Sequence, residues 1–160
     1  MTELEIRDCI EDALRSYCRG IDRLHAPSIE AAFHPGATLV DYGPAPLTIE
    51  VFVQHAVASL GKRFAATQHR LSNIIVEIDG DVARVESYVL AFHVEKGDGG
   101  PRLHTFAGRY IDRFEQRGGD WRIAQRVLRN DWSSVAAMGD AMTGTWIAGG
   151  RDGSPDPIFD

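Results

Sequence analysis

Along the N-terminal stretch TELEIRDCIEDALRSYCRGIDRLH, apolar residues recur mostly three or four positions apart, at Leu4, Ile6, Ile10, Leu14, Tyr17 and Ile21, with charges between them. That spacing predicts one amphipathic helix, and Thr2 stands at its N-cap. Pro27 and Ser28 start a short second helix, SIEAAF, which the His34-Pro35-Gly36 turn stops. ATLVDYG follows as a short strand. Residues Thr48 to Phe64 form a third helix, with Ile49, Phe52, Val53, Ala56, Val57 and Leu60 on one side.

From Gln68 the periodicity changes. HRLSNIIVEI, VARVESYVLAFHVE, RLHTFAGRYIDRFEQ and DWRIAQRVLRNDW are β-rich runs separated by DGD, KGDGGP and RGG, the pattern of an antiparallel meander. Helices ahead of a meander predict an α+β domain in which three N-terminal helices pack on the concave face of a curved sheet. The space between them is a cone, and such an apolar cavity is the default ligand site. The domain is read over residues 1–136, and 137–160 as a tail or lid of the same unit. Trp146 and Phe159 make that tail more than a polar linker, suited to fold over the domain or over a neighbouring subunit.

Composition narrows the classes. The chain has 160 residues, the size of one domain, and a formal net charge of −6, so no basic stripe is available to neutralise a nucleic-acid backbone. MTELEIRDCIEDAL lacks a cationic start followed by an apolar run, and no apolar stretch approaches the ~20 residues that span a bilayer. The expectation is a soluble, cytoplasmic protein with no membrane partner. Cys9 and Cys18 lie on one predicted helix, about 13 Å apart at its rise per residue, and read as reduced thiols rather than a disulfide. The paired Cys/His spacing of zinc sites is absent, so no metal is expected.

The candidate chemistry rests on residues far apart in the chain. Asp22 lies near the end of the first helix, after a face that is otherwise apolar, and His69 begins the first long strand. A carboxylate that accepts from one imidazole nitrogen fixes the tautomer and leaves the other nitrogen as a general base near neutral pH. On spacing alone a strand-start histidine and a helix-end aspartate are more often ordinary residues with no catalytic role.

The order of elements, with "YCRGIDRL", "HPGATLVDYG", "TQHRLSN" and "RYIDRFEQRGGDWRIAQR", resembles the SnoaL-like branch of the nuclear-transport-factor-2-like superfamily over about residues 4–133. Within it the chain is similar to the scytalone dehydratase and hexachlorocyclohexane dehydrochlorinase group. The resemblance implies a cone-shaped α+β barrel with a cofactor-independent Asp-His dyad: His69 as base and Asp22 as its orienting partner. It further implies Tyr42 as a phenol that helps to polarise a substrate carbonyl, with a half-buried strand tyrosine as the alternative. Arg126 matches a pocket arginine that assists a departing anion; the alternative is a salt bridge to Asp131 or Asp112.

This chain departs from both relatives. Ile21 stands where the dehydratase has a second tyrosine, and Tyr17 where the dehydrochlorinase carries a lysine, so neither substrate carries over. Tyr17 can enter the cavity from the helix or belong to the core. Tyr88, His93, Asn130 and Trp132 complete the expected substrate-binding set, the last two because they share strand parity with Arg126. Whether His93 and His104 face the cavity stays open. A regular strand would send Trp121 and Ile123 to the opposite face, where they would pack against another subunit.

The reading is therefore a lyase, dehydratase-like, that abstracts a proton from a cyclic or hydroxylated small apolar molecule without cofactor or metal. An isomerase or polyketide-cyclase-like enzyme would use the same dyad. A binding module, or an assembly subunit like the small subunit of ring dioxygenases, would instead show a blocked pocket or a broken Asp22–His69 pair. Relatives with this pattern imply a homodimer or homotrimer.

Overall fold

The computed structural model describes residues 1–97 and 99–139. Helix α1 covers Glu3–Arg23 and opens on a reciprocal cap: the Thr2 hydroxyl accepts from the Glu5 N–H at 3.3 Å, and the Glu5 carboxylate accepts from the Thr2 N–H at 2.7 Å. Two backbone donors that the helix leaves unpaired are thereby satisfied. Ile10, Leu14, Tyr17 and Ile21 of the predicted stripe are buried, together with Cys18. Helix α2, Ala26–Ala31, begins earlier than its proline suggests, because the His25 ring acts as N-cap and accepts from the Ser28 N–H. Gly20 lets α2 pass close to α1; a Cβ there would lie 2.7 Å from the Ile29 backbone nitrogen.

Strand β1, Phe33–Val40, contains the His34-Pro35-Gly36 segment that was expected as a turn. The segment is an irregularity within the strand, between the Phe33 and Thr38 pairings, and Gly36 has φ +73°. The two-residue strand β2, Leu47–Thr48, had no visible signal, and helix α3 follows over Ile49–Arg63 as its periodicity predicts. The meander is present as β3 (Phe64–Asp79), β4 (Val82–Glu95), β5 (Arg102–Arg117) and β6 (Asp120–Ala137). The six strands form one mixed sheet in the order β2-β1-β6-β5-β4-β3, with β1 parallel to β6 and every other pair antiparallel. The architecture is the α+β cone that the element order predicts.

Strand alternation decides which side chains meet the helices. Buried Val85, Ser87, Val89 and Ala91 of β4 pair with Asp112, Tyr110, Gly108 and Phe106 of β5, and His69 of β3 pairs with Ala91. These positions form the concave face. Two bulges in β6 break the parity expected of a regular strand. Ala124 is the extra residue between the Phe114–Ile123 and Arg113–Gln125 pairs, so Ile123 and Arg126 point to the same face. Trp121 and Ile123 are therefore buried in this chain's own core, at 4% and 0% exposure, and do not form an outer surface for a second subunit. Asp131 is the extra residue of the second bulge, which turns Trp132 to the convex side, paired with Ala107.

Among the described residues no helix is long and apolar enough to cross a membrane, and no three His, Cys, Asp or Glu side chains are grouped to hold a metal ion. The tail reading that involves Trp146 and Phe159 lies outside the described residues.

Cys18 lies buried on the inner face of α1, and burial pushes its thiol up to about 12. It is a neutral S–H at physiological pH. The folded pKa is the higher one, so any stability linked to this group is present at neutral pH and falls as pH rises from the ordinary thiol range toward that value. Thiol titration with a disulfide reagent at pH 8 is expected to leave Cys18 unreacted in the native protein and to modify both cysteines in denaturant. Rapid native modification of Cys18, located by peptide mapping, would contradict its placement.

Candidate active site

Helix α1 carries its buried stripe across the concave face and brings Asp22, in its last turn, to His69, which lies five residues inside β3 and does not begin it as the sequence suggested. The Asp22 carboxylate uses both oxygens on one residue: Oδ1 lies 2.7 Å from His69 Nδ1, and Oδ2 accepts from the His69 backbone N–H at 2.9 Å. An ionised carboxylate can only accept, so in a neutral ring this short contact places the proton on Nδ1 and leaves the lone pair on Nε2. Both side chains are largely withdrawn from solvent, at 8% exposure for His69 and 15% for Asp22. The backbone contact also pins the carboxylate so that it cannot swing away from the ring.

His69 lines a cavity of about 330 Å³. Ile21, Phe52, Leu60, Ala91, Phe106 and Leu128 form much of its apolar wall. The polar lining is sparse: the phenols Tyr17, Tyr42 and Tyr110, the two imidazoles of His69 and His93, and Ser59. His69 and His93 meet edge to face with ring centroids 5.3 Å apart. Tyr17 packs edge to face against Tyr110 at 5.7 Å, and Tyr42 against Phe52 at 5.2 Å. Burial raises the pKa of Tyr17 and raises those of Tyr42 and Tyr110 well above the ordinary phenol range. All three are therefore neutral phenols in the cavity wall, each with an O–H to donate. The Tyr42 hydroxyl is buried and makes no hydrogen bond of good geometry among the described residues.

Arg126 stands behind this wall and does not line the cavity. Its guanidinium is fully buried and makes two hydrogen bonds to Asp112, Nε to Oδ1 and Nη2 to Oδ2, both at 2.7 Å. It stacks over the rings of Tyr110 and Tyr17, at 4.0 and 4.3 Å from their centroids. The expected role as a cation for a departing anion is corrected accordingly: a charge this deeply buried needs a permanent partner, and Asp112 supplies it. Asp131, the other proposed partner, is engaged by Arg109. Among the described residues no lysine or arginine side chain lines this cavity.

The remaining expectations divide. Tyr17, Tyr42 and His93 line the cavity with His69. His104 shares their face, but its Nε2 lies 2.7 Å from the Glu95 carboxylate and it is not part of the lining. Tyr88 is on the convex side at 41% exposure, because it falls on the opposite parity to Val89 and Ala91. Trp132 is turned outward by the bulge, at 55% exposure. Asn130 keeps the concave parity and pairs with Gly108, but it is exposed beyond the cavity. Tyr88, Asn130 and Trp132 are thus corrected as lining residues. Tyr110, Phe106 and Ser59 were missed. The signal for Tyr110 was its alternation with Asp112 and Phe114 in "GRYIDRF", which places it on the buried face.

Among the described residues the Asp22–His69 contact is formed and no side chain fills the cavity. Residues 2–127 match the family model described as a SnoaL-like domain. No curated protein sequence matches the chain. Among solved structures, a type-2 hexachlorocyclohexane dehydrochlorinase superposes with TM-score 0.77 at 19% identity, covering 90% of this chain and 97% of the other. A candidate scytalone dehydratase from Novosphingobium aromaticivorans gives TM-score 0.72 at 22% identity, with coverage of 91% and 96%. A protein from Kribbella flavida gives 0.75 at 22% identity, with coverage of 83% and 95%. At these identities the superpositions establish the shared fold.

Proposed function

From a chain that belongs to the SnoaL-like domain family, and from the Asp22–His69 contact at the edge of its cavity, we propose a cofactor-independent lyase of the dehydratase type. The substrate is a cyclic, hydroxylated small molecule with a carbonyl group. His69 Nε2 takes the proton alpha to that carbonyl, and Asp22 supports the imidazolium that forms. The electron pair moves onto the carbonyl oxygen, where Tyr42, Tyr17 and Tyr110 donate hydrogen bonds to the enolate. Collapse of the enolate restores the carbonyl, forms the carbon–carbon double bond and expels the β-hydroxyl, which takes the proton held on His69 Nε2 and leaves as water. The overall change is loss of one water.

The observation that carries this reading is the carboxylate held on His69 Nδ1 while the same ring lines an apolar cavity. Its support from relatives is that solved structures of the same fold include a dehydrochlorinase and a candidate dehydratase. The test is a panel of cyclic β-hydroxy ketones followed by the absorbance of the conjugated enone. We expect turnover by the native protein and none above background with His69→Gln; equal rates for the two would rule out His69 as the base. Isomerisation or ring closure would begin with the same proton abstraction, and product analysis separates them from loss of water.

The exposed apolar residues Ile75, Tyr88, Ile111 and Trp132 support a homodimer or homotrimer. Light scattering on the purified protein decides between them.

A further inference from the structure

Ser59, on α3, lines two spaces at once: the apolar cavity and a neighbouring open groove of about 650 Å³. The groove has a different chemistry. Its other lining residues are Gln54, His55, Ala58, Lys62, Arg63 and Lys96, so among the described residues it presents three permanent cations and a histidine with no carboxylate. This occurs in a chain whose formal net charge is −6. Such local concentration of one sign, set against the charge of the whole, is what draws an oppositely charged group to a particular cleft.

The cations are held in place by the end of α3 and the end of β4. Lys96 donates from Nζ to the Gly61 carbonyl at 2.8 Å, and its backbone N–H to the Arg63 carbonyl at 3.0 Å. Capping the Gly61 carbonyl covers part of the negative end of the helix and still leaves the ammonium with further protons to donate. The nearby carboxylate is already occupied: Glu95 accepts from Arg63 Nε at 3.0 Å and lies 2.7 Å from His104 Nε2. Those hydrogen bonds, His104 first, hold the Glu95 carboxyl below its usual range. Arg63 is thereby spent on Glu95, whereas Lys62 and Lys96 have no carboxylate partner among the described residues.

Resting on the proposed proton-abstracting chemistry of the adjoining cavity, we infer that the substrate carries an anionic arm, a carboxylate, sulfate or phosphate. The arm leaves the cavity past Ser59 and is bound in the groove by Lys62 and Lys96. The ring enters the apolar space beside His69, and the charged end stays outside it, where desolvation is small. This divides recognition between two surfaces: the cavity reads ring shape, and the groove reads charge.

Binding without turnover tests the inference. Calorimetry would compare three probes, 1-naphthol, 1-naphthyl phosphate and inorganic phosphate, on the native protein and on a Lys62→Gln/Lys96→Gln variant. The expected result is that naphthyl phosphate binds about ten-fold more tightly than naphthol, the scale of a pair of part-exposed charge-assisted contacts. Inorganic phosphate alone should bind far more weakly than naphthyl phosphate. In the variant the preference should vanish while naphthol affinity is unchanged, with circular dichroism confirming the fold of these exposed substitutions. Equal affinity for the two ring probes, persistence of the preference in the variant, or no binding of naphthyl phosphate at millimolar concentration would overturn the inference. Failure of the proposed chemistry would register separately, as undiminished turnover in His69→Gln with the binding preference intact.

Discussion

Asp22→Asn is expected to lower turnover by about 10²- to 10⁴-fold, the range for removing or misorienting a general base, while leaving the fold intact. The reason lies in the double contact. One carboxylate oxygen accepts from the His69 backbone N–H and the other from the ring at Nδ1. An asparagine has one acceptor and one donor to place on these two sites. The backbone N–H can only donate, so it takes the amide oxygen and turns the amide NH₂ toward Nδ1. Nδ1 must then become the acceptor, and the ring proton moves to Nε2. The nitrogen available to the cavity becomes a donor and no longer takes a proton from carbon. Nitrogen-15 NMR of His69 should report this change of tautomer, and rate assays should report the loss of kcat. Native turnover in Asp22→Asn, with the tautomer reversed, would show that the imidazole is not the base.

The largest expected effect on stability comes from the pair behind the cavity. Removing one partner of a buried ion pair leaves the other charge without compensation and costs about 3–5 kcal/mol, so Asp112→Asn and Arg126→Met should each shift urea unfolding by that order. Both groups are essentially inaccessible, at 2% exposure for Asp112 and 0% for Arg126, and their two hydrogen bonds are short. Replacing both by apolar residues of similar volume is expected to recover most of the loss, because neither charge is then left buried alone. The guanidinium also packs over both the Tyr17 and Tyr110 rings, so the single arginine variant should loosen two of the cavity's phenols. Unfolding curves of the two single variants and the double variant make a complete cycle. Single-variant losses below 1 kcal/mol would mean that water reaches the site and the pair is not isolated.

What the chain determined by itself was the alternation of periods. Spacing of three and four in TELEIRDCIEDALRSYCRGIDRLH is enough for α1, and the glycine-bearing turns between strongly β-forming runs are enough for the meander of β3–β6. Each depends on interactions within a few residues or with the next element along the chain, so each leaves a local signature. The buried stripe of α1 even shows that Asp22 follows an apolar face. Resemblance, rather than spacing, was needed to join it to His69.

Tertiary structure decided everything that depends on a partner far along the chain. The strand at His34-Pro35-Gly36 exists because β1 lies beside β6, a parallel pairing that no local pattern announces. Parity along β6 was misread because bulges at Ala124 and Asp131 exchange the two faces, and a bulge is set by the register of the neighbouring strand rather than by the residue that occupies it. That single fact moved Trp121 and Ile123 into the core and Trp132 out of the site. The fate of Arg126 was equally non-local: its type and position fit an anion-binding role, but the side chain opposite it across β5 and β6 is Asp112, and a desolvated cation goes to the carboxylate that can neutralise it.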